Sequence, residues 1–250
     1  MAEPTNPELY EKVKKEIRKK YGKPSAYASG ATVQEYKRQG GKYKGKKTQE
    51  LNKAIEEVGG ALKADEIKHF VNASYEKKGQ APTDINGYVL DKELSNGQAK
   101  VYHNPTTGKT IVANRGTQGT LQDWANNIAY TMGMYDYTGR WKNAKRTQDE
   151  AIQKYGKVDT NVGHSQSGII TRKLNNLGKT GEVINVNPAS LGESQKKNET
   201  IVRSTLDPVS IFQPNKSSNN VSIKAESYNP LTEHSGSILG RLNPYQMIGI

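Results

Sequence analysis

The chain has 250 residues, long enough for one sizeable α/β domain with material to spare. Its 37 Lys and Arg against 25 Asp and Glu give a formal charge of +12, and 33% hydrophobic residues is low for a chain packed throughout. The absence of cysteine excludes disulfides, thiol catalysis and zinc–thiolate sites.

The charge is uneven. Residues 1–50 hold 13 basic and 6 acidic side chains, a net of +7, so a basic arm precedes a less charged body. Residues 7–21, PELYEKVKKEIRKKY, put Leu9, Val13, Ile17 and Tyr21 four apart, which predicts one face of a short helix with Lys and Glu on the rest. Residues 22–47 are rich in Gly, Lys and Ser, with almost no aliphatic side chains, and read as a linker or mobile segment. The boundaries drawn on this basis are 1–47 for the arm and 48–250 for the body. Such an arm favours an anionic membrane surface or another polyanion, although the same charge also serves solubility alone. The body carries no finger, RRM or helix-turn-helix signature, which argues against nucleic acid. The start MAEPTNPELYEK has no apolar signal core, and no run approaches the roughly 18 apolar residues of a membrane span, so a soluble protein is expected.

In the body, a helix is predicted over 46–76, broken near Gly59 and Gly60. Its apolar stripe runs through Leu51, Ile55 and Val58, then Ile67, Phe70 and Val71. The runs AKVYH and KTIVAN flank the turn NPTTG, which predicts antiparallel strands over 99–103 and 109–114. Leu121, Trp124, Ile128 and Met132 repeat at helical spacing between polar residues, an amphipathic helix. A helix over 138–156 ends at Gly156, a short strand covers 158–164, and a helix over 168–178 stops at Gly178. Three further strands are predicted in 182–188, 199–205 and 221–227. This alternation implies an α/β fold with a mostly parallel central sheet, flanking helices and an antiparallel hairpin at the start.

The stretch GHSQS, Gly163 to Ser167, lies between a predicted strand and a predicted helix. A serine nucleophile needs such a sharp turn, which lifts its hydroxyl out of the sheet toward the first N–H groups of the helix. Small residues two before and two after the serine permit the close approach; here they are Gly163 and Ser167. Of the four histidines only His234 follows Ser165, and Asp207 is the one aspartate after it. His164 adjoins Ser165, and extended backbone is expected to turn its side chain away. The order Ser165, Asp207, His234 is that of α/β-hydrolase triads. His234 would take and return the serine proton, and Asp207 would hold the imidazole tautomer. The oxyanion donors would be the N–H of Gln166 and that of Thr117, in the turn after the 109–114 strand.

These segments carry a resemblance. Strand–RGT–x(5)–DW, the GHS turn, and VRSTLDPVS followed by a loop histidine are similar to the class 3 lipase family, the fungal-lipase-like branch of α/β-hydrolases, and to lipase-like proteins of large DNA viruses. The resemblance covers roughly residues 73–250. It implies Ser165, Asp207 and His234 as the triad, Thr117 and Gln166 as the oxyanion hole, and a lid in 118–134; a core helix packed on the sheet also fits that segment. The chain departs from the family at Asn114, usually aromatic or apolar, and at Ser167, usually Gly. The expected function is cleavage of carboxylic esters of lipids, acylglycerols or phospholipids, through an acyl-enzyme, with no metal or organic cofactor. The other reading is a weakly active or inactive structural or virion-associated protein of the same fold with a polyanion- or membrane-binding arm. The expected location is the cytoplasm or, for a viral protein, the virion.

Overall fold

The computed structural model describes residues 3–4, 6–21, 32, 35–36, 38–41, 43–44, 46–57, 60–117, 139–189, 195–210 and 219–240. The chain divides into two compact units, Met1–Glu50 and Leu51–Ile250.

In the first unit, β1 (Glu3–Pro4) pairs antiparallel with β2 (Tyr43–Lys44), and α1 (Pro7–Tyr21) lies between them in the chain. The apolar spacing of α1 buries Val13 and leaves the lysine-rich face exposed. Tyr36 is fully buried and meets Tyr10 edge-on, with ring centroids 5.4 Å apart. Its hydroxyl accepts the Asn6 N–H at 2.9 Å. Tyr36 falls within the segment 22–47 that reads as a linker, most of which lies outside the described residues.

Among the described residues of the second unit the sheet has eight strands: β3 (Asp84–Ile85), β4 (Tyr88–Asp91), β5 (Ala99–His103), β6 (Thr110–Asn114), β7 (Thr160–His164), β8 (Glu182–Val186), β9 (Glu199–Ser204) and β10 (Asn220–Ile223). They lie in the order β10-β9-β8-β7-β6-β5-β4-β3. From β3 to β6 the pairs are antiparallel, and from β6 to β10 all are parallel. This is an α/β-hydrolase-like architecture. The expected hairpin is β5–β6. The two strands before it went unread because Asp84–Ile85 and Tyr88–Asp91 are too short to display a period.

The helices are α2 (Lys46–Glu57), α3 (Ala64–Tyr75), α4 (Gly139–Tyr155), α5 (Ser167–Asn176) and the short α6 (Pro230–His234), which a 3-10 turn (Gly236–Gly240) follows. The break between α2 and α3 falls where the glycines predicted it. The Lys63 N–H, at the start of α3, donates to Glu66 at 2.9 Å and satisfies an end group of that helix.

The sheet's two faces differ. One packs Ile111, Ala113, Val162, Ile184, Val186 and Val202 against Ile67, Phe70 and Val71 of α3 and against Ile238 and Leu239. Phe70 sits edge-on to Tyr88 and Tyr102, and its truncation to alanine would cost about 3–5 kcal/mol. The other face, under α5, is polar: Thr171 donates to Asn185 at 2.8 Å, and Arg172 pairs with Glu199 at 2.8 Å with both side chains buried. Replacing one partner of that ion pair would strand a charge and cost roughly 3–5 kcal/mol. Covered on both faces, β7 is buried along its length. It ends where the serine turn begins.

Candidate active site

Ser165 occupies the turn between β7 and α5 with φ +59°, a left-handed conformation that costs a non-glycine residue about 1–2 kcal/mol. Local hydrogen bonds hold it there. The Ser165 N–H donates to Val186 O at 3.1 Å, and the Ser165 carbonyl accepts from Ala189 at 2.9 Å and Gly168 at 3.0 Å. Gly163 is required by close approach, since a Cβ there would lie 2.4 Å from Asn185 Oδ1 and 2.9 Å from Thr171 Cγ2. Ser167, where the lipase pattern has glycine, is itself part of the turn. Its hydroxyl accepts the His164 N–H at 2.7 Å and faces the carbonyls of Asn114 at 2.8 Å and His164 at 2.9 Å. The departure thus ties the end of β6 to the turn.

The three residues singled out in the sequence come together. The Nδ1–H of His234 donates to Asp207 Oδ1 at 2.7 Å, and its Nε2 lies 2.7 Å from Ser165 Oγ. Asp207 is fully buried beyond the end of β9, and its carboxylate also accepts the N–H groups of Ser210 at 2.8 Å and Val209 at 3.3 Å. A carboxylate only accepts, so this contact fixes the proton on Nδ1 and leaves Nε2 as the acceptor for the serine hydroxyl. His234 is the last residue of α6 rather than part of an irregular loop, a correction with a local cause: five helical residues are too few to carry a period.

Thr117 and Gln166 are also adjacent, the Thr117 hydroxyl donating to Gln166 Oε1 at 2.6 Å. Gln166 is the first residue after the serine, at the N-terminus of α5. The RGT turn reaches the site because Gly116 has no side chain. A Cβ there would lie 2.4 Å from the Tyr75 hydroxyl and 2.6 Å from the His164 carbonyl oxygen. Ser165 and His234 open into a cavity of about 470 Å³ whose wall includes Val71, Asn72, Tyr75 and Glu76 of α3 and its end. The segment 118–134, expected to be a lid, lies outside the described residues. Among the described residues no group of three or more His, Asp and Glu side chains is placed to hold a metal ion. No helix among them is long and apolar enough to cross a membrane.

His164 corrects a second expectation. Its ring does not leave the site: it lies 5.2 Å from the His234 ring and lines the same cavity. The left-handed turn at Ser165 breaks the extended geometry on which that expectation rested. Burial, then the neighbouring His234, lowers the His164 pKa to about 4, so the ring is neutral at pH 7. Its Nε2 meets the His234 carbonyl at 2.8 Å and its Nδ1 the Tyr75 hydroxyl at 2.7 Å. Burial raises the Tyr75 hydroxyl to about 12. Glu233 and Asn187 were also missed. The buried Glu233 carboxylate accepts the Ser204 hydroxyl and, at 2.9 Å, the Ser227 N–H. Asn187 donates to Glu233 O at 2.8 Å and accepts the Ser204 N–H at 2.9 Å. No motif links these residues; their only sequence signal is polarity beside predicted strand ends.

The model of a family of unknown function (DUF5872) matches residues 4–60. No curated protein matches the chain. Among solved structures the chain is similar to the Lip2 lipase from Yarrowia lipolytica, with 14% sequence identity over 68% of this chain and 82% of that one and a TM-score of 0.44.

Proposed function

We propose that the Leu51–Ile250 unit is a serine hydrolase of the class 3 lipase type that cleaves carboxylic esters of lipids. The observation that carries this reading is the relay from Asp207 through His234 to Ser165, with both links at 2.7 Å and the serine on a left-handed strand-to-helix turn. Ser165 Oγ attacks the ester carbonyl carbon while His234 Nε2 takes its proton. The oxyanion is met by the N–H groups of Gln166 and Thr117, each worth several kcal/mol in the transition state. The contact between their side chains supports this pairing, because it holds the two backbones in register. Collapse of the intermediate breaks the bond to the leaving alkoxide, which receives the proton from His234. Water, deprotonated by the same imidazole, then attacks the acyl carbon; the bond to Ser165 Oγ breaks, the serine oxygen takes the proton back from His234, and the carboxylic acid leaves. Asp207 orients the ring and stabilises its cation throughout.

The basic first unit would bring this activity to an anionic membrane surface. The exposed lysines of α1 support that role. The deciding experiment measures hydrolysis of a short-chain and a long-chain acyl ester, with and without detergent micelles, together with labelling by a fluorophosphonate probe. Turnover and labelling at Ser165 are expected. A folded protein that neither turns over nor labels would instead be an inactive protein of this fold.

A further inference from the structure

Two side chains that neither attack nor accept a proton in the proposed reaction, Tyr75 and His164, form one chain of hydrogen bonds through the site. The directions of all its links are determined. A carbonyl oxygen only accepts, so the 2.8 Å contact from His164 Nε2 to the His234 carbonyl places the imidazole proton on Nε2. In the neutral ring Nδ1 is then an acceptor, and the Tyr75 hydroxyl, 2.7 Å away, donates to it. The phenolic oxygen also lies against Gly116, where a Cβ would come within 2.4 Å of it. The chain therefore runs from Tyr75 to His164 and from His164 to the His234 backbone, with Tyr75 packed on Gly116 at its start.

Its two ends matter. Gly116 immediately precedes Thr117 in the turn assigned to the oxyanion. The far end is the carbonyl of the residue whose ring bonds Ser165. Tyr75 comes from the last turn of α3 and stands edge-on to the His164 ring at 5.7 Å. Linked bonds of one direction polarise one another, so each strengthens the next. Gly116 also packs so closely on the phenol that the turn cannot shift without moving Tyr75.

We propose that Tyr75 and His164 are positioning residues that lock the oxyanion turn and the His234 backbone into one register around Ser165. This rests on the hydrolase reading for its consequence in turnover, but not for the arrangement itself. A pair that merely satisfied its own buried polar atoms would affect stability alone. A register device affects the rate, because displacing a reacting group by about 1 Å can cost on the order of 100-fold.

The test uses the full chain with Tyr75→Phe, which keeps the ring and removes the hydroxyl, alongside His164→Gln and the double variant. On a soluble short-chain ester, kcat is expected to fall roughly 10- to 100-fold in each single variant, with KM changed less than about 3-fold. The double variant should lose no more than the worse single one, because both break the same chain. Wild-type kcat in Tyr75→Phe, or a loss that only follows the folded fraction, overturns the proposal. Ring nitrogen NMR of the wild-type protein supplies a readout independent of turnover and of whether the variants fold. His164 should carry its proton on Nε2, and a proton on Nδ1 overturns the proposal. Should the wild type show no turnover and no fluorophosphonate labelling, the hydrolase reading fails by itself. The His164 tautomer and the response of the His234 ring signals to Tyr75→Phe then decide the register device, with unchanged His234 signals overturning it.

Discussion

Ser165 and His234 face each other across 2.7 Å, but the two sides of the site are held in different ways. The serine side is mostly local, with one tie from Ser167 to Asn114 at the end of β6. Its anchors at Gly163, Ser167, Gly168, Val186 and Ala189 lie along one strand–helix–strand segment, mostly as backbone contacts. The histidine side is assembled from afar. Its α6 is held by Asn187 beyond β8, by Ser204 on β9, by Ser227, and by His164 at the end of β7. A left-handed serine needs rigid nearby backbone to keep it strained. A five-residue helix has almost no stability of its own and depends on buried side-chain hydrogen bonds from elements already in place. The two sides should therefore fail differently.

The largest effect comes from breaking the link between them. Ser165→Ala and Asp207→Asn are each expected to lower ester turnover by about 10⁴-fold or more while the melting temperature stays close to wild type. Their losses should not add, since the relay acts as a unit. Wild-type turnover in Ser165→Ala would remove the nucleophile from the mechanism.

Next comes the histidine side alone. Glu233→Ala leaves the Ser204 hydroxyl and the Ser227 N–H without their buried acceptor, at a cost of roughly 2–4 kcal/mol. Hydrogen exchange should show protection lost around residues 227–240 and retained in β7 and α5. Uniform loss across both regions would mean that the two sides are one cooperative unit.

A pH titration probes the contact between the sides. The folded pKa of His164 is about 4 against 6.5 for a free histidine, so folding favours the neutral ring. That stability is fully present above about pH 6.5 and is lost as pH falls toward about 4, amounting to roughly 3 kcal/mol. The groups facing the ring are Tyr75, His234 and Asp207. The melting temperature should fall through that window in the wild type and less steeply in His164→Gln. Equal slopes would assign the acid sensitivity elsewhere.

The smallest effect on turnover tests whether the comparison is confined to the second unit. Deleting residues 1–47 removes no proposed catalytic group and should leave kcat on a soluble ester within about 2-fold. Binding to anionic vesicles should weaken by up to ~1 kcal/mol for each basic residue near the surface, less as salt rises. Equal vesicle affinity at low salt would end the membrane role of the basic unit.

The serine turn was legible because its requirements are contiguous: a strand, a small residue, the serine, a small residue and a helix. Ser165, Asp207 and His234 could be chosen because the chain offers a single histidine and a single aspartate after the serine. The parallel strands were legible as short β-rich runs, and the helices between them from the glycines that stop them. In the first unit the helix over 7–21 was legible from its apolar spacing, whereas the burial of Tyr36 was not, since a single aromatic side chain gives no period.

What the sequence by itself determined is the alternation of elements, the turn that strains Ser165 and the chemistry of the three residues meeting there. Only the tertiary structure decided which polar side chains hold them. Tyr75, His164, Asn187 and Glu233 are ordinary residues in sequence, and their roles depend on burial and on hydrogen-bond direction. Both arise only when strand ends far apart in the chain close on one another and exclude the water that would otherwise satisfy those groups.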